Sequence, residues 1–372
     1  MDSVTQFVLG AGIGAACLGK KHGLRKAAIT GGLLGTLPDL DVFWDYGGPL
    51  ENFVFHRSAT HSLLLQTLAT PILAEGLWRI FKKPEGQRLS FYLTVWLTLV
   101  THALLDAMTI YGTQLLWPLT DHPFGVGSMF IIDPLYTLPL LFITLWALIR
   151  PRWNNAYRKS LTAALTISTL YLGWSVVAQN WMTNKAEQKF AERGISVDKT
   201  LVIPLPFTTF AWKAITVQSD TYTNLYLPLK SSDDEPVFYQ HERWPARLTC
   251  AQLDHYPAHA ILENFTKGFY SLTKSDNGQL LQADLRMGMT PNYVFRFKLQ
   301  NGQEDTKSLA ARVASSRSSE GDFPWLWSMV TGNITPRPVE ADSILPSTAT
   351  LMAAAPKVCN QSGKKVEPRA IF

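Results

Sequence analysis

His102 and Asp106 stand four residues apart inside an apolar run, Thr101-His102-Ala103-Leu104-Leu105-Asp106. On a helix, positions i and i+4 share a face, so the two side chains point the same way. An imidazole and a carboxylate on a membrane-buried helix are costly without a partner. A divalent metal suits that pair of ligand types; a hydrogen bond between the two across one turn is the structural alternative. Asp39 and Asp41 follow a helix end, and a divalent cation would relieve the repulsion between two carboxylates so close. Their alternative is a solvated turn. His56 and His61 flank a non-helical link from which both can reach a metal held by the Asp pair. Arg57 can grip a substrate phosphate or carboxylate bidentately, or lie among lipid headgroups. Thr60 is placed to cap the helix that follows. Asp133 opens another helix, where a carboxylate is favoured electrostatically whether or not it binds metal. His122, in a loop, reads as a bystander.

The set Asp39, Asp41, His56, His61, His102, Asp106 and Asp133 makes a hard-to-borderline site for zinc or manganese, one or two ions, and not an iron–sulfur centre. A metal-activated water would be the nucleophile, with Asp39, His61, Asp106 and Arg57 as the catalytic candidates. No Ser-His-Asp order and no GxSxG elbow favours covalent catalysis.

These residues need helices to position them. Hydrophobic residues make up 47% of the 372-residue chain and charged residues only 17%, and the first half is a series of long apolar runs. The expected fold is an α-helical polytopic membrane domain of about six hydrophobic helices over residues 1–182. The first two, Phe7 to Leu18 and Ala27 to Leu37, are short for a span, which takes about 20 residues. Gly10 and Gly14, then Gly31 and Gly35, sit at the small-xxx-small spacing that lets helices approach closely, so the pair reads as a tight hairpin. Further helices are expected over Ser62 to Phe81, Leu89 to Ile110, Phe130 to Ile149 and Leu161 to Met182. No Lys or Arg precedes the first run, so it is not a cleavable signal and is expected to stay.

Three basic turns separate these runs: Lys20 to Lys26, Arg79 to Arg88 and Arg150 to Lys159. The positive-inside rule places all three in the cytoplasm. The candidate ligands then converge on the outer side, and the C-terminal half lies outside as well. Residues 183–332 read as an α+β domain with an antiparallel sheet, with hairpin chemistry at Asp276-Asn277-Gly278. Residues 333–372 are rich in Pro, Ser, Ala and Lys and are expected to be poorly ordered. Cys250 and Cys359 can pair in an oxidising compartment. The net charge of +5 lies largely in the connecting turns, and no basic stripe with interleaved aromatics marks a nucleic-acid surface.

The motifs Leu-Pro-Asp-Leu-Asp (37 to 41), His-Arg-Ser-Ala-Thr-His-Ser (56 to 62), Thr-His-Ala-Leu-Leu-Asp (101 to 106), Tyr-Gly-Thr-Gln-Leu-Leu-Trp-Pro (111 to 118) and Ile-Asp-Pro-Leu-Tyr (132 to 136), with the opening Met-Asp-Ser-Val-Thr, carry a family resemblance. Over about its first 180 residues the chain resembles the YdjM-like inner-membrane proteins, described as metal-dependent hydrolases and, from one member, as LexA-binding. The resemblance implies that the seven residues above belong to the active site, and that the C-terminal domain is the extension of the longer members. Two departures thin the site: many members have His where this chain has Gln6, and many long members an acidic residue near Ala15. Nothing here marks a LexA-binding surface. The expectation is a multi-pass inner-membrane hydrolase acting on a lipid-linked or small envelope substrate, a phosphoester on the strength of Arg57 and the metal set, with membrane lipid as its surroundings. A transporter is the alternative, since intramembrane Asp and His serve transport too; a membrane-anchored scaffold is another.

Overall fold

The computed structural model describes residues 1–195, 197, 199–230, 235–245, 248–301 and 309–346, with the backbone alone at Cys250. The proposed Cys250–Cys359 pairing lies outside the described residues. The chain divides into two compact units. One comprises Met1–Trp44, Phe55–Trp181 and Ile203–Phe210; the other comprises Asp45–Val54, Met182–Val202 and the chain from Ala211 onward.

The first unit is helical. Helix α1 (Ser3–His22) is capped by Asp2, whose carboxylate accepts from the Val4 and Thr5 amides, and Gly23 turns the chain into α2 (Leu24–Thr36). These two form the expected hairpin, and its glycines are obligatory. A Cβ at Gly31 would fall 2.1 Å from the Gly10 carbonyl oxygen, and one at Gly14 would fall 2.4 Å from that of Ala27. The backbones touch directly, which only residues without side chains permit. A 3-10 turn (Pro38–Phe43) and, past α3 (Pro49–Phe55), which but for Phe55 belongs to the second unit, a second 3-10 turn (Ala59–His61) precede α4 (Leu63–Ile80). Ser62 caps α4 by accepting from the Leu65 amide. Thr60, expected to be the cap, is used elsewhere. Then come α5 (Arg88–Ala107), α6 (Pro134–Ile149) and α7 (Asn155–Glu192). The core joins Val8, Leu9 and Ile13 of α1 to Leu140 and Ile143 of α6 and Tyr157 and Leu161 of α7.

Helices form at all six expected places, but about six membrane spans is a count that needs correcting. Among the described residues only α5 and α7 are long and apolar enough to cross a membrane, and α6 is apolar but shorter. Helix α2 has 13 residues. Helix α1 spends its length on small residues and ends in Lys20 and Lys21, and α4 carries Gln66, Glu75 and Arg79.

The second unit carries antiparallel strand pairing, as expected, though in two four-stranded sheets. One has the order β1 (Thr200–Pro204), β2 (Ala211–Val217), β3 (Thr221–Pro228), β4 (Phe238–Glu242). After α8 (Cys250–Leu253) and α9 (Pro257–Phe265) the other is built from β5 (Tyr270–Lys274), β6 (Leu280–Asp284), β9 (Arg296–Leu299) and β10 (Ala310–Val313), in the order β10-β9-β6-β5. A short ribbon of β7 (Gly288–Met289) and β8 (Asn292–Tyr293) lies between β6 and β9 in the chain. The β5–β6 hairpin pairs Lys274 with Leu280, and Gly278 takes φ +78° in the Asp-Asn-Gly turn. Ile215, Val217 and Tyr222 of the first sheet share a core with Ala283 of β6, Leu285 and Tyr293 of the ribbon. Helix α10 (Asp322–Thr331) and a last 3-10 turn (Pro338–Ser343) follow. The expectation of poor order beyond Asn333 fails for residues 333–346. Arg337 and Glu340 are buried there, because their charges find partners among strands and α10. Residues 347–372 lie outside the described residues.

Candidate metal centre

Four side chains from three parts of the first unit converge. Asp39 comes from the 3-10 turn after α2, His61 from the turn before α4, and His102 and Asp106 from one face of α5; one ligand atom from each lies within 4.8 Å of all the others. The imidazoles face each other through Nε2, 3.1 Å apart. Asp39 Oδ1 is 3.5 Å from both. Asp106 Oδ2 is 3.2 Å from His61 Nε2 and 3.8 Å from His102 Nε2. A tetrahedral metal with bonds of about 2.0–2.1 Å separates its ligand atoms by roughly 3.3–3.4 Å. The observed separations bracket that value.

Tautomers decide what this arrangement can hold. His102 Nδ1 lies 2.7 Å from the Gly35 carbonyl oxygen, which can only accept, so Nδ1 carries the proton. Thr60 Oγ1 donates to Asp41 Oδ2 at 2.9 Å and accepts from His61 Nδ1 at 2.9 Å. In the neutral imidazoles both Nδ1 positions are therefore donors, which leaves both Nε2 atoms, beside two carboxylate oxygens, able to take a metal ion or a proton. Such a group can hold a cation. A ligating histidine held through its other nitrogen by a carbonyl or by a hydroxyl–carboxylate pair is the usual support of a metal site.

The electrostatics agree. Burial alone would push the Asp39 carboxyl up, but hydrogen bonds from His102 and His61 outweigh it and hold the group well below the usual range. Burial would push His61 down, but Asp106 and Asp39 raise it above the ordinary imidazole value. A proton on His61 is the simplest cation the cluster can take. His61, His102 and Asp106 are buried, and only Asp39 is reached by solvent, its side chain 18% exposed.

Around the ligands lies a supporting layer. Gln6 Nε2 donates to Asp106 Oδ1 at 3.1 Å and to the His102 carbonyl at 3.2 Å, and the Met1 amine also contacts Oδ1. Arg57 Nε stands 3.1 Å from Asp106 Oδ2. Even so, Oδ2 accepts no well-aligned hydrogen bond among the described residues. Arg57 takes φ +67°, in the left-handed region that L residues other than glycine rarely adopt. That conformation is pinned at both ends: its amide donates to Asp41 Oδ2 and its carbonyl accepts from Gln114. Its guanidinium lies over the Tyr111 ring, 4.8 Å from the centroid.

Residues 1–182 match the model of a family described as the YdjM inner membrane protein. Over these residues the chain belongs to that family. The family places it at the inner membrane. An uncharacterized protein, YfhP, from Bacillus subtilis (strain 168) is 25% identical over 153 residues, which cover 39% of this chain and 46% of that protein. The chain thus spans less than half the length of that curated relative. No solved structure matches.

Three residues of the predicted ligand set fall outside the cluster of this YdjM-family unit. Asp41 and His56 pair with each other, Oδ1 to Nδ1 at 2.9 Å, and Asp41 works through Thr60 on His61. Burial would raise Asp41, but His56 more than offsets it and keeps the carboxyl low. Asp133 is engaged in capping. It accepts from the Leu135 and Tyr136 amides and from the Tyr171 hydroxyl, 2.9 Å away. The four ligand atoms that meet could hold one ion. Gly35, through its carbonyl, and Thr60, as the link to Asp41, are contributors that sequence reading missed. A backbone acceptor leaves no mark in side-chain chemistry, and Thr60 had a simpler role available as a helix cap.

Proposed function

We propose that the first unit is a membrane-bound metal-dependent hydrolase. Asp39, His61, His102 and Asp106 would hold one divalent ion, zinc in preference to manganese, because a set of two nitrogens and two oxygens suits it. The observation that carries this reading is the pair of Nε2 lone pairs 3.1 Å apart with both Nδ1 protons committed elsewhere. When bound, the ion supplies Lewis acidity to a water nucleophile and to the scissile group. Gly35 and Thr60 keep the two imidazoles in the ligating tautomer. Gln6 and Arg57 orient Asp106, and Arg57 is the cation nearest to an anionic substrate oxygen. Asp39, the one ligand open to solvent, is placed to accept the proton of the attacking water. The substrate is a lipid-linked or envelope phosphoester, and the second unit lies on the periplasmic side, where it recognises substrate or partner.

The test is metal content by mass spectrometry on detergent-purified full-length protein, wild type against His102→Ala and Asp106→Ala. Near-stoichiometric zinc in the wild type, absent from both variants, is the expected result. A wild type that holds no metal after reconstitution with zinc or manganese overturns the reading and leaves transport as the use of these residues.

A further inference from the structure

Helix α2 has two unlike faces. Gly31 and Gly35 lie against Gly10 and Gly14 of α1, with no room for a side chain. On another face Ile29, Leu33 and Leu37 recur at four-residue spacing, and Leu40 continues the row into the 3-10 turn; all four are exposed. No charged residue interrupts the chain from Ala27 to Pro38. The row extends about 12 Å from Ile29 to Leu37 at 1.5 Å per residue. It ends at Asp39, the one ligand of the cluster with solvent access. Beyond Asp39 the same turn presents Phe43 and Trp44, 84% and 69% exposed. Aromatic rings of this kind settle where hydrocarbon gives way to headgroups.

An exposed apolar row on an inner-membrane protein faces hydrocarbon. What distinguishes this one is its end point: an apolar track and a buried cation-seeking cluster share one short turn, with Arg57 beside the cluster. We propose that the row from Ile29 to Leu40 seats the hydrocarbon chain of an amphiphilic phosphoester, which enters sideways from the bilayer and brings its phosphate to Asp39. The proposal rests on the metal-site reading and narrows its substrate class. A chain seated along α2 makes affinity depend on chain length, whereas a headgroup bound only at the ion and Arg57 does not.

The experiment uses full-length protein loaded with cobalt(II), whose visible absorption bands report ligand binding at the metal. Wild type and the Leu33→Asn/Leu40→Asn double variant are titrated with dodecyl phosphate and with methyl phosphate in the same detergent. Comparing the two proteins cancels partition of the dodecyl chain into micelles. In the wild type dodecyl phosphate is expected to bind at least tenfold more tightly than methyl phosphate. In the variant that advantage shrinks to less than threefold, with the methyl phosphate titration unchanged. A chain-length advantage of the same size in both proteins overturns the track and leaves the metal site standing, as does a wild type that binds the two phosphates equally. A wild type that takes up no cobalt overturns the metal site, and the track with it.

Discussion

Two buried polar clusters, one in each unit, use the same residue types to opposite ends. In the second unit Glu340 accepts from Asn224 at 2.9 Å, from the Tyr226 hydroxyl at 2.6 Å and from His241 Nε2 at 2.7 Å, and pairs with Arg337 at 2.7 Å. The other edge of the Arg337 guanidinium is bidentate to Asp322, at 2.8 and 3.0 Å. Donors meet acceptors around Glu340 and Arg337, and the charges close on themselves. In the first unit two imidazole Nε2 atoms and two carboxylate oxygens converge on one point, and Arg57 reaches one of the carboxylates from the side. A satisfied network holds a chain segment in place; an unsatisfied one awaits a ligand. Burial and composition are alike in the two clusters, and the direction of each hydrogen bond tells them apart.

The comparison can be broken in several ways. The largest effect is expected at the ligands. His102→Ala and Asp106→Ala should abolish stoichiometric metal while leaving the second unit's hydrogen-exchange protection intact. Conversely, Glu340→Ala should leave metal content unchanged and remove one of the two carboxylates that hold the buried Arg337, costing about 3 kcal/mol. Hydrogen exchange over residues 337–346 would report it as lost protection. If metal content fell too, the two clusters would not be independent.

Glu340 also makes the second cluster sensitive to acid. Burial would raise its carboxyl, but His241 and Arg337 outweigh burial and lower it from 4.5 to about 2. The folded value lies below the unfolded one, so the stabilisation is present above about pH 4.5 and lost as pH falls towards 2. The shift amounts to about 3 kcal/mol in total. Protection of residues 337–346 should decline across that window in the wild type and stay flat in Glu340→Gln.

Smaller effects should separate ligands from their supports. Thr60→Val removes the acceptor for His61 Nδ1, and zinc affinity should fall roughly 10- to 100-fold without loss of the site. Gly35→Ala should fall in the same range, since its Cβ would meet the Gln6 carbonyl oxygen at 2.5 Å and displace the carbonyl that holds His102. Competition with a zinc indicator measures both. The smallest change is expected for Asp133→Ala, which should lose a helix cap worth about 1 kcal/mol and no metal. Metal loss in that variant would return Asp133 to the ligand set.

The sequence alone determined a good deal. Apolar runs and basic turns located six helices, because burying a helix demands a periodic or continuous apolar surface and its absence at the turns is equally visible; α7 runs past its expected bounds at both ends, Asn155–Glu192 against Leu161 to Met182, where its ends turn polar. Hairpin chemistry at Asp276-Asn277-Gly278 located β5 and β6. The i, i+4 spacing of His102 and Asp106 put two of the four converging groups on one face. Helix length and hydropathy were harder to judge: Gly-rich α1 and 13-residue α2 look apolar yet do not qualify as spans.

Only the tertiary structure decided which candidates meet. Asp39 and Asp41 are two residues apart, and one faces the cluster while the other stands behind Thr60, because a 3-10 turn sends neighbouring side chains in different directions. Asp133 could cap or ligate, and in the structure two local amides and the distant Tyr171 hydroxyl engage its carboxylate. Order at Arg337 and Glu340 was invisible in a Pro- and Ser-rich stretch, since the partners lie as far back in the chain as Asn224. Local chemistry is written in the order of residues. Donor against acceptor, across 41 residues from His61 to His102, exists only once the chain has folded.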